Sequence, residues 1–351
     1  QGLSEEYVMN RAHILNYLIL LVLLADAAGR DYKPVKCKNA VPYEGKPVYA
    51  NEIDLTTAAF QSDQFLESET SQHLEKALEE AANLTRANII SAAVLLTRGR
   101  WSSSRSNDGS LSHKRMYWAS VGKAFTATII LQMVQEQKLF LDQPISRWFD
   151  HVPNAASITI DHLLQHTSGL FSHNENLNFR KNPRYYSPLE CIGLSAKHGA
   201  MFCPGQYWRY SNTGYTLLGQ VIEKTDQLPY HQAVKARIID RLPTSTLQAL
   251  APQELPDDVA AITPSDRSLY TMEPSWGYSA GCVVGTAMDM ILFWQALLSA
   301  QLLDRTNTTR LFDRMYPMFD NGTYYGRGVM LYVLPDQEQE ERIWLGHSGG
   351  T

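Results

Sequence analysis

From residue 124 to residue 134 the chain is apolar apart from two Thr and one Gln, and neither Pro nor Gly interrupts it. A run of that length without a polar face predicts a helix buried on all sides. Upstream, Leu74, Leu78 and Ala81/Ala82 recur at helical spacing, which predicts a helix over 71–84. Residues 89–96 form a short continuous apolar run, ended by Arg98-Gly99-Arg100, and read as a buried strand. The polar residues 102–112 read as a hairpin loop, and Tyr117-Trp118 lead back inward. The predicted order is helix, strand, strand, buried helix.

Downstream, residues 139–145 turn into a short helix. Another helix is predicted over 161–166, closed by a glycine cap at Gly169. Residues 174–188 are polar and rich in Tyr, and read as a surface loop beside a cleft. The aromatic, turn-rich strip 202–212 runs into a buried helix over 214–223. A helix over 233–240 and an irregular stretch to 273 follow. Residues 275–284 read as a loop or short strand. Thr286, with Asp289 three residues on, caps a helix to 298. Residues 325–334 and 342–345 read as paired strands around a polar turn.

The N-terminal pattern is of another kind. Met9-Asn10-Arg11 precedes an apolar core at 14–24 and the small-residue pattern Ala25-Asp26-Ala27. That is the layout of a secretory signal, with an uncleaved anchor as the rival reading. The apolar core is short for a membrane span, which takes about 20 residues. Met9 reads as the natural start, with 1–8 as read-through upstream of it. The expected organisation is therefore 1–28 as read-through plus signal, 29–69 as an irregular lead-in, and 70–351 as the folded domain. Export implies the periplasm or the exterior.

Composition adds bounds. A chain of 351 residues, 44% of them apolar, can bury a large core in one domain or two. A net charge of -5 gives no case for nucleic-acid binding by bulk electrostatics. None of Cys37, Cys191, Cys203 and Cys282 forms a Cys-x-x-Cys pair. Cys191 and Cys203 are near enough in sequence to pair in an oxidising compartment, and two separate thiols is the equal reading.

The candidate chemistry opens the buried helix. Ser120 stands at its N-terminus with Lys123 three residues on, and positions three apart share a helix face. The helix N-terminus favours developing negative charge, and a buried lysine gives up its proton readily enough to serve as a base toward the serine. Such a pair also arises by chance, so the weight falls on partners downstream. His162 and His166 have a helical i, i+4 spacing, but no Glu completes an H-E-x-x-H pattern. No metal and no other cofactor is expected.

Three motifs then line up. Ser120-Val121-Gly122-Lys123, Tyr210-Ser211-Asn212 and His347-Ser348-Gly349 resemble, in order, the motifs of the penicillin-recognising serine hydrolases. These are the class C β-lactamases, serine D-Ala-D-Ala carboxypeptidases and related esterases. Supporting pieces are Leu163 through Leu170, Pro204-Gly205 and Ala280-Gly281, and the resemblance covers roughly 71–351. It implies an α+β fold, β-lactamase/transpeptidase-like, with an antiparallel sheet flanked by helices and an inserted all-helical part at roughly 124–270. It also implies strands and a long C-terminal helix beyond the third motif. The chain stops at that motif, so the resemblance implies truncation and puts the activity of the chain as it stands in question.

The resemblance implies Ser120 as nucleophile, with Lys123 and Tyr210 sharing proton handling, Tyr210 as a phenolate favoured by nearby positive charge. Asn212 would orient Lys123 and hold the substrate amide. His347 would serve the proton path or, when charged, bind a substrate carboxylate. Ser348 would offer a hydroxyl and Gly349 a close approach. The N–H groups of Ser120 and Gly350 would form the oxyanion hole. The expected partner is a small-molecule or peptide acyl substrate, a peptidoglycan peptide or a β-lactam. D-Ala-D-Ala carboxypeptidase is the first reading, β-lactamase or small-acyl esterase the alternative. A non-catalytic penicillin- or peptide-binding sensor is the reading of another class. Membrane contact follows only if the N-terminal segment is an anchor.

Overall fold

The computed structural model describes residues 33–350 apart from 50–52, 56–63, 86, 107–113, 183, 255, 261–273, 320–321 and 336–339. The chain divides into two units, Gln1–Val35 and Lys36–Thr351. The first, with the expected signal segment, lies almost wholly outside the described residues. The second carries every element below.

Helix α1 (Ser68–Thr85) packs Leu74 and Leu78 on a hairpin of β1 (Ile89–Leu96) and β2 (Gly99–Ser106). Leu96 pairs with Gly99, so the turn falls at Thr97-Arg98 and residues 102–106 lie in strand, not in a hairpin loop; the rest of the expected loop, 107–112, lies outside the described residues. Two of these serines are bonded: Ser91 and Ser104 share a hydrogen bond of 2.6 Å, and Ser103 donates to Glu75. Cross-strand and side-chain bonding replaced the apolar alternation that the sequence lacked.

Strand β3 (Met116–Tyr117) leads through a single 3₁₀ turn, Ala119–Val121, into α2 (Gly122–Gln135). Residues 122–133 of α2 are all buried, as a helix without a polar stripe must be. Around it stand α3 (Ile160–Leu164), α4 (Leu177–Lys181), α5 (Pro188–His198), α6 (Asn212–Asp226) and α7 (Tyr230–Arg237). Among the described residues from Gly122 to Arg237, no strand interrupts this helical part. Several elements differ from expectation, among them the helix expected over 233–240, which runs Tyr230–Arg237. Helix α3 ends before His166, which itself takes the left-handed conformation at φ 59°, so the stop precedes Gly169. The loop predicted over 174–188 contains α4, capped by Asn176. Helix α5 was announced by Ser187-Pro188-x-Glu190: the Ser187 side chain accepts from Glu190 N–H while the Glu190 carboxylate accepts from Ser187 N–H.

The remaining elements are β4 (Gln248–Ala249), β5 (Val283–Gly285), α8 (Ala287–Leu298), α9 (Arg305–Arg310), β6 (Tyr316–Pro317), β7 (Thr323–Tyr325), β8 (Met330–Pro335) and β9 (Glu341–Gly346). Thr286 caps α8 through Asp289. Strand β4 was hidden in the irregular stretch; two residues are too few to show a pattern. Among the described residues three sheets result: β1-β2, β3-β5-β4 and β6-β7-β8-β9, with antiparallel pairing throughout these ladders. Helices and antiparallel sheets of this kind make an α+β fold. The main core gathers on α2, where Phe125 stacks on Phe293 of α8 at 3.8 Å.

Cys37 is disulfide-bonded to Cys203, 166 residues away. The open choice over Cys191 and Cys203 is thereby resolved against their pairing: Cys191 is a buried thiol in no disulfide, beside Phe179, Tyr186 and Trp276. The lead-in is also not a separate segment. Val41 N–H donates to Pro204 O at 2.9 Å and Glu44 N–H to Gln206 O at 2.8 Å, so the chain around the disulfide is strapped to the strip that precedes Tyr210.

Candidate active site

The approach to Ser120 is held from behind by β5. Trp118 N–H donates to Val283 O at 3.0 Å, and the indole N–H to Gly285 O at 3.3 Å. Ala119 then takes φ 47°, a left-handed backbone rare for a residue with a Cβ and often found where a reactive side chain must be presented. Gly281 makes room for this turn, since a Cβ there would lie 2.8 Å from Ala119 O. Ser120 is half-buried and so within reach of a substrate.

Lys123, one turn on, is fully buried. Its Nζ donates to Ala280 O at 3.0 Å and stands 3.1 Å from Ser120 Oγ. Burial holds its pKa well below the ordinary lysine value. Burial favours the uncharged amine, whose lone pair can take the Ser120 proton. The Ala280 carbonyl is itself fixed by its neighbour: Tyr230 OH donates to Thr126 Oγ1, which donates to Ser279 O at 2.5 Å.

Tyr210 brings its ring to 4.8 Å from Lys123 Nζ. Its hydroxyl is buried with no hydrogen-bond partner at full geometry, and Ser120 is the group that acts on it. Burial raises the Tyr210 pKa above the ordinary phenol value, and Ser120 opposes this only in part. The expected phenolate is therefore corrected to a neutral phenol: burial is the largest influence on Tyr210 and disfavours the charged form. Tyr210 is a hydroxyl donor held ready.

His347 also departs from expectation. Its Nδ1 lies 2.6 Å from Ser348 O, so Nδ1 carries the proton and Nε2, 3.1 Å from Tyr325 Oη, accepts from that phenol. Burial, helped by Lys123, pushes its pKa down to about 3. A neutral imidazole engaged on both nitrogens does not bind a carboxylate. Ser348 is exposed, its hydroxyl donating only to Met330 Sδ at 3.4 Å. Gly349 sits against the nucleophile turn, and a Cβ there would fall 2.3 Å from Trp118 O. Gly350 is exposed with open space where a Cβ would stand. The third motif thus lies beside the residues that lead into Ser120.

Asn212 is the first residue of α6, and its N–H donates to Ser172 Oγ at 2.8 Å. Lys123 bonds Ser120 and Ala280 and not Asn212, so the expected orienting bond is absent. The half-buried Asn212 side chain keeps its amide for other partners. His162 accepts the Thr159 N–H at Nδ1, and His166 accepts the Ser211 N–H at Nδ1. Each ring is used in shaping the chain.

Sequence reasoning missed the wall behind the site. His166, Tyr215 and Tyr325 enclose Tyr210 and Lys123: His166 lies 4.3 Å from the Tyr210 ring and 4.5 Å from Tyr325, and Lys123 Nζ 5.5 Å from the Tyr215 ring. These residues come from three distant stretches, and no short motif joins them. The thiol of Cys282 is no rival nucleophile, being buried with its pKa pushed up to about 12.

The arrangement is set up for nucleophilic attack by Ser120 with Lys123 as proton acceptor. A penicillin-binding protein of Bacillus subtilis (strain 168) is 28% identical over 265 residues, covering 66% of this chain and 54% of the relative. The chain spans about half the length of the curated relatives it matches first, 56% and 54%. Among solved structures, a D-stereospecific amidohydrolase from Streptomyces sp. is 27% identical, with 80% of this chain and 87% of that one covered and a TM-score of 0.67. The penicillin binding protein from Bacillus halodurans is 28% identical, covering 73% and 82%, with a TM-score of 0.62. The family model described as Beta-lactamase matches residues 73–351, and the chain belongs to that family of penicillin-recognising serine hydrolases.

Proposed function

We propose that the chain is a serine acyl hydrolase that opens amide bonds of short peptides containing D-residues, the D-Ala-D-Ala carboxypeptidase reaction among them. One observation carries the reading: a fully buried Lys123 amine 3.1 Å from Ser120 Oγ, its pKa lowered by burial. Ser120 attacks the carbonyl carbon as Lys123 takes its proton, the leaving group departs with a proton, and water resolves the acyl-enzyme. Tyr210, a neutral phenol close to Ser120, is the donor for the leaving group. A pure binding protein would have no use for a buried base beside its serine. The relatives named above, a penicillin-binding protein and a D-stereospecific amidohydrolase, support the substrate class.

A second reading is favoured by His347, which is neutral and bonded to Tyr325. Without a cation there, a substrate whose leaving group carries no carboxylate, an amide or a small ester, meets no penalty. The test is a panel: an N-acetylated Lys-D-Ala-D-Ala peptide, a D-amino acid amide, p-nitrophenyl butyrate and nitrocefin, each against Ser120→Ala. Release of D-Ala supports the carboxypeptidase form. Turnover confined to the amide or ester supports the second reading, and turnover confined to nitrocefin supports a β-lactamase. No turnover of any of the four by the folded protein sinks the hydrolase reading. We also propose export to the periplasm or exterior. The Cys37–Cys203 disulfide supports this, since such bonds persist in oxidising compartments.

A further inference from the structure

We propose that His166 is a positioning residue that sets Tyr210 for acyl transfer at Ser120 by clamping the chain on both sides of it. The proposal rests on the acyl-transfer reading above. The His166 carbonyl accepts the Arg209 N–H at 2.9 Å. Its Nδ1 accepts the Ser211 N–H at 3.1 Å. These two bonds flank Tyr210, and the imidazole lies on the phenol ring with centroids 4.3 Å apart and planes 38° apart. One residue fixes the peptide before Tyr210, the peptide after it and a face of its ring.

Two features show that the position is specialised. With φ at 59°, His166 holds a left-handed backbone that a β-carbon disfavours, and both its carbonyl and its ring reach the same strip of chain. Because Nδ1 is an acceptor, the proton of the neutral ring sits on Nε2, and that atom is buried with no hydrogen-bond partner. The ring is enclosed by Tyr215 at 5.1 Å, Tyr325 at 4.5 Å and Trp208 at 6.1 Å. A buried donor left unpaired is costly, and an apolar side chain would fill this aromatic cage at less cost. What an apolar side chain lacks is the acceptor for Ser211 N–H. No hydrogen bond joins the ring to Ser120 or Lys123, so it acts through Tyr210.

The test compares His166→Gly, His166→Asn, Tyr210→Phe and the Gly/Phe double variant with the wild type, on whichever substrate of the panel is turned over. Glycine accepts the left-handed backbone and removes the acceptor. Asparagine tolerates that backbone and places Oδ1 where Nδ1 stood. A reacting group misplaced by about 1 Å loses about a hundredfold in rate, so His166→Gly is expected to lower kcat by about that factor with KM little changed. His166→Asn is expected to recover most of the loss at a similar melting temperature. In the Tyr210→Phe background, His166→Gly is expected to add almost nothing, since the two residues act as a unit. An undiminished effect of His166→Gly in that background overturns the proposal. So does a loss that asparagine fails to restore while the melting temperature falls in step. If the wild type turns over no substrate, the function has failed; the rate at which a fluorophosphonate labels Ser120 then gives the comparison. Slower labelling of His166→Gly supports the clamp, and equal rates overturn it.

Discussion

Lys123 ends in a setting with no ion-pair partner among the described residues: Ser120 Oγ, a carbonyl oxygen and two aromatic rings surround its amine. Burial lowers its pKa, so the rising limb of a kcat/KM–pH profile should fall well below the ordinary lysine value of 10.5. Lys123→Arg cannot give up its proton and is expected to lower kcat/KM by a factor of about 10³. A variant that retains most of its rate would show that the base lies elsewhere. His347 gives a second pH signature, in stability. Folded, it takes a proton only at about pH 3; unfolded, near 6.5. Between those values the unfolded chain binds more protons, so stability is lost as pH falls from 6.5 towards 3. Thermal melts should show this slope, and His347→Gln should flatten it. An equal slope in the variant would mean that His347 is not buried neutral.

At the scale of elements, the nucleophile helix was legible because a run without polar positions has one solution, burial on every side. The Ser120–Lys123 juxtaposition followed from helical spacing alone. The Ser187–Glu190 capping box was missed, because the Tyr and polar residues before it read as a surface loop. The turn at His166 was not legible either: histidine seldom takes a left-handed backbone, and the bonds to Arg209 and Ser211 that hold it there span some 45 residues. Nor was the partner of Cys203, since spacing favours a near cysteine and the structure uses one 166 residues away. A loop that long makes the disulfide worth up to about 5 kcal/mol in the chain-entropy model. Replacing Cys37 and Cys203 with serine should lower the melting temperature markedly; an unchanged melt would place the strap outside the cooperative fold. The third motif depends on Gly349. A methyl group there meets Trp118 O, so Gly349→Ala should push the motif off the nucleophile turn and cut turnover by about a hundredfold while the fold survives. Wild-type turnover in that variant would mean that the motif does not serve the site.

At the scale of the whole molecule, the site belongs to no single element. The 3₁₀ turn before α2 supplies Ser120, α2 supplies Lys123, the strip before α6 supplies Tyr210, the 278–281 turn supplies the carbonyl on Lys123, and the chain beyond β9 brings Gly349. The family resemblance foretold which motifs would converge. It did not foretell their charge state, because that depends on burial in the assembled fold: burial keeps the phenol protonated and His347 neutral, and favours the uncharged form of Lys123. The central claim is that Ser120 is a nucleophile made reactive by a buried lysine. Its most direct test is intact mass, followed by peptide mapping, after mixing the folded protein with a fluorophosphonate. The account predicts one adduct, on the peptide containing Ser120, absent in Ser120→Ala and formed far more slowly in Lys123→Arg. An adduct that persists in Ser120→Ala, or that forms as fast in Lys123→Arg as in the wild type, would contradict it.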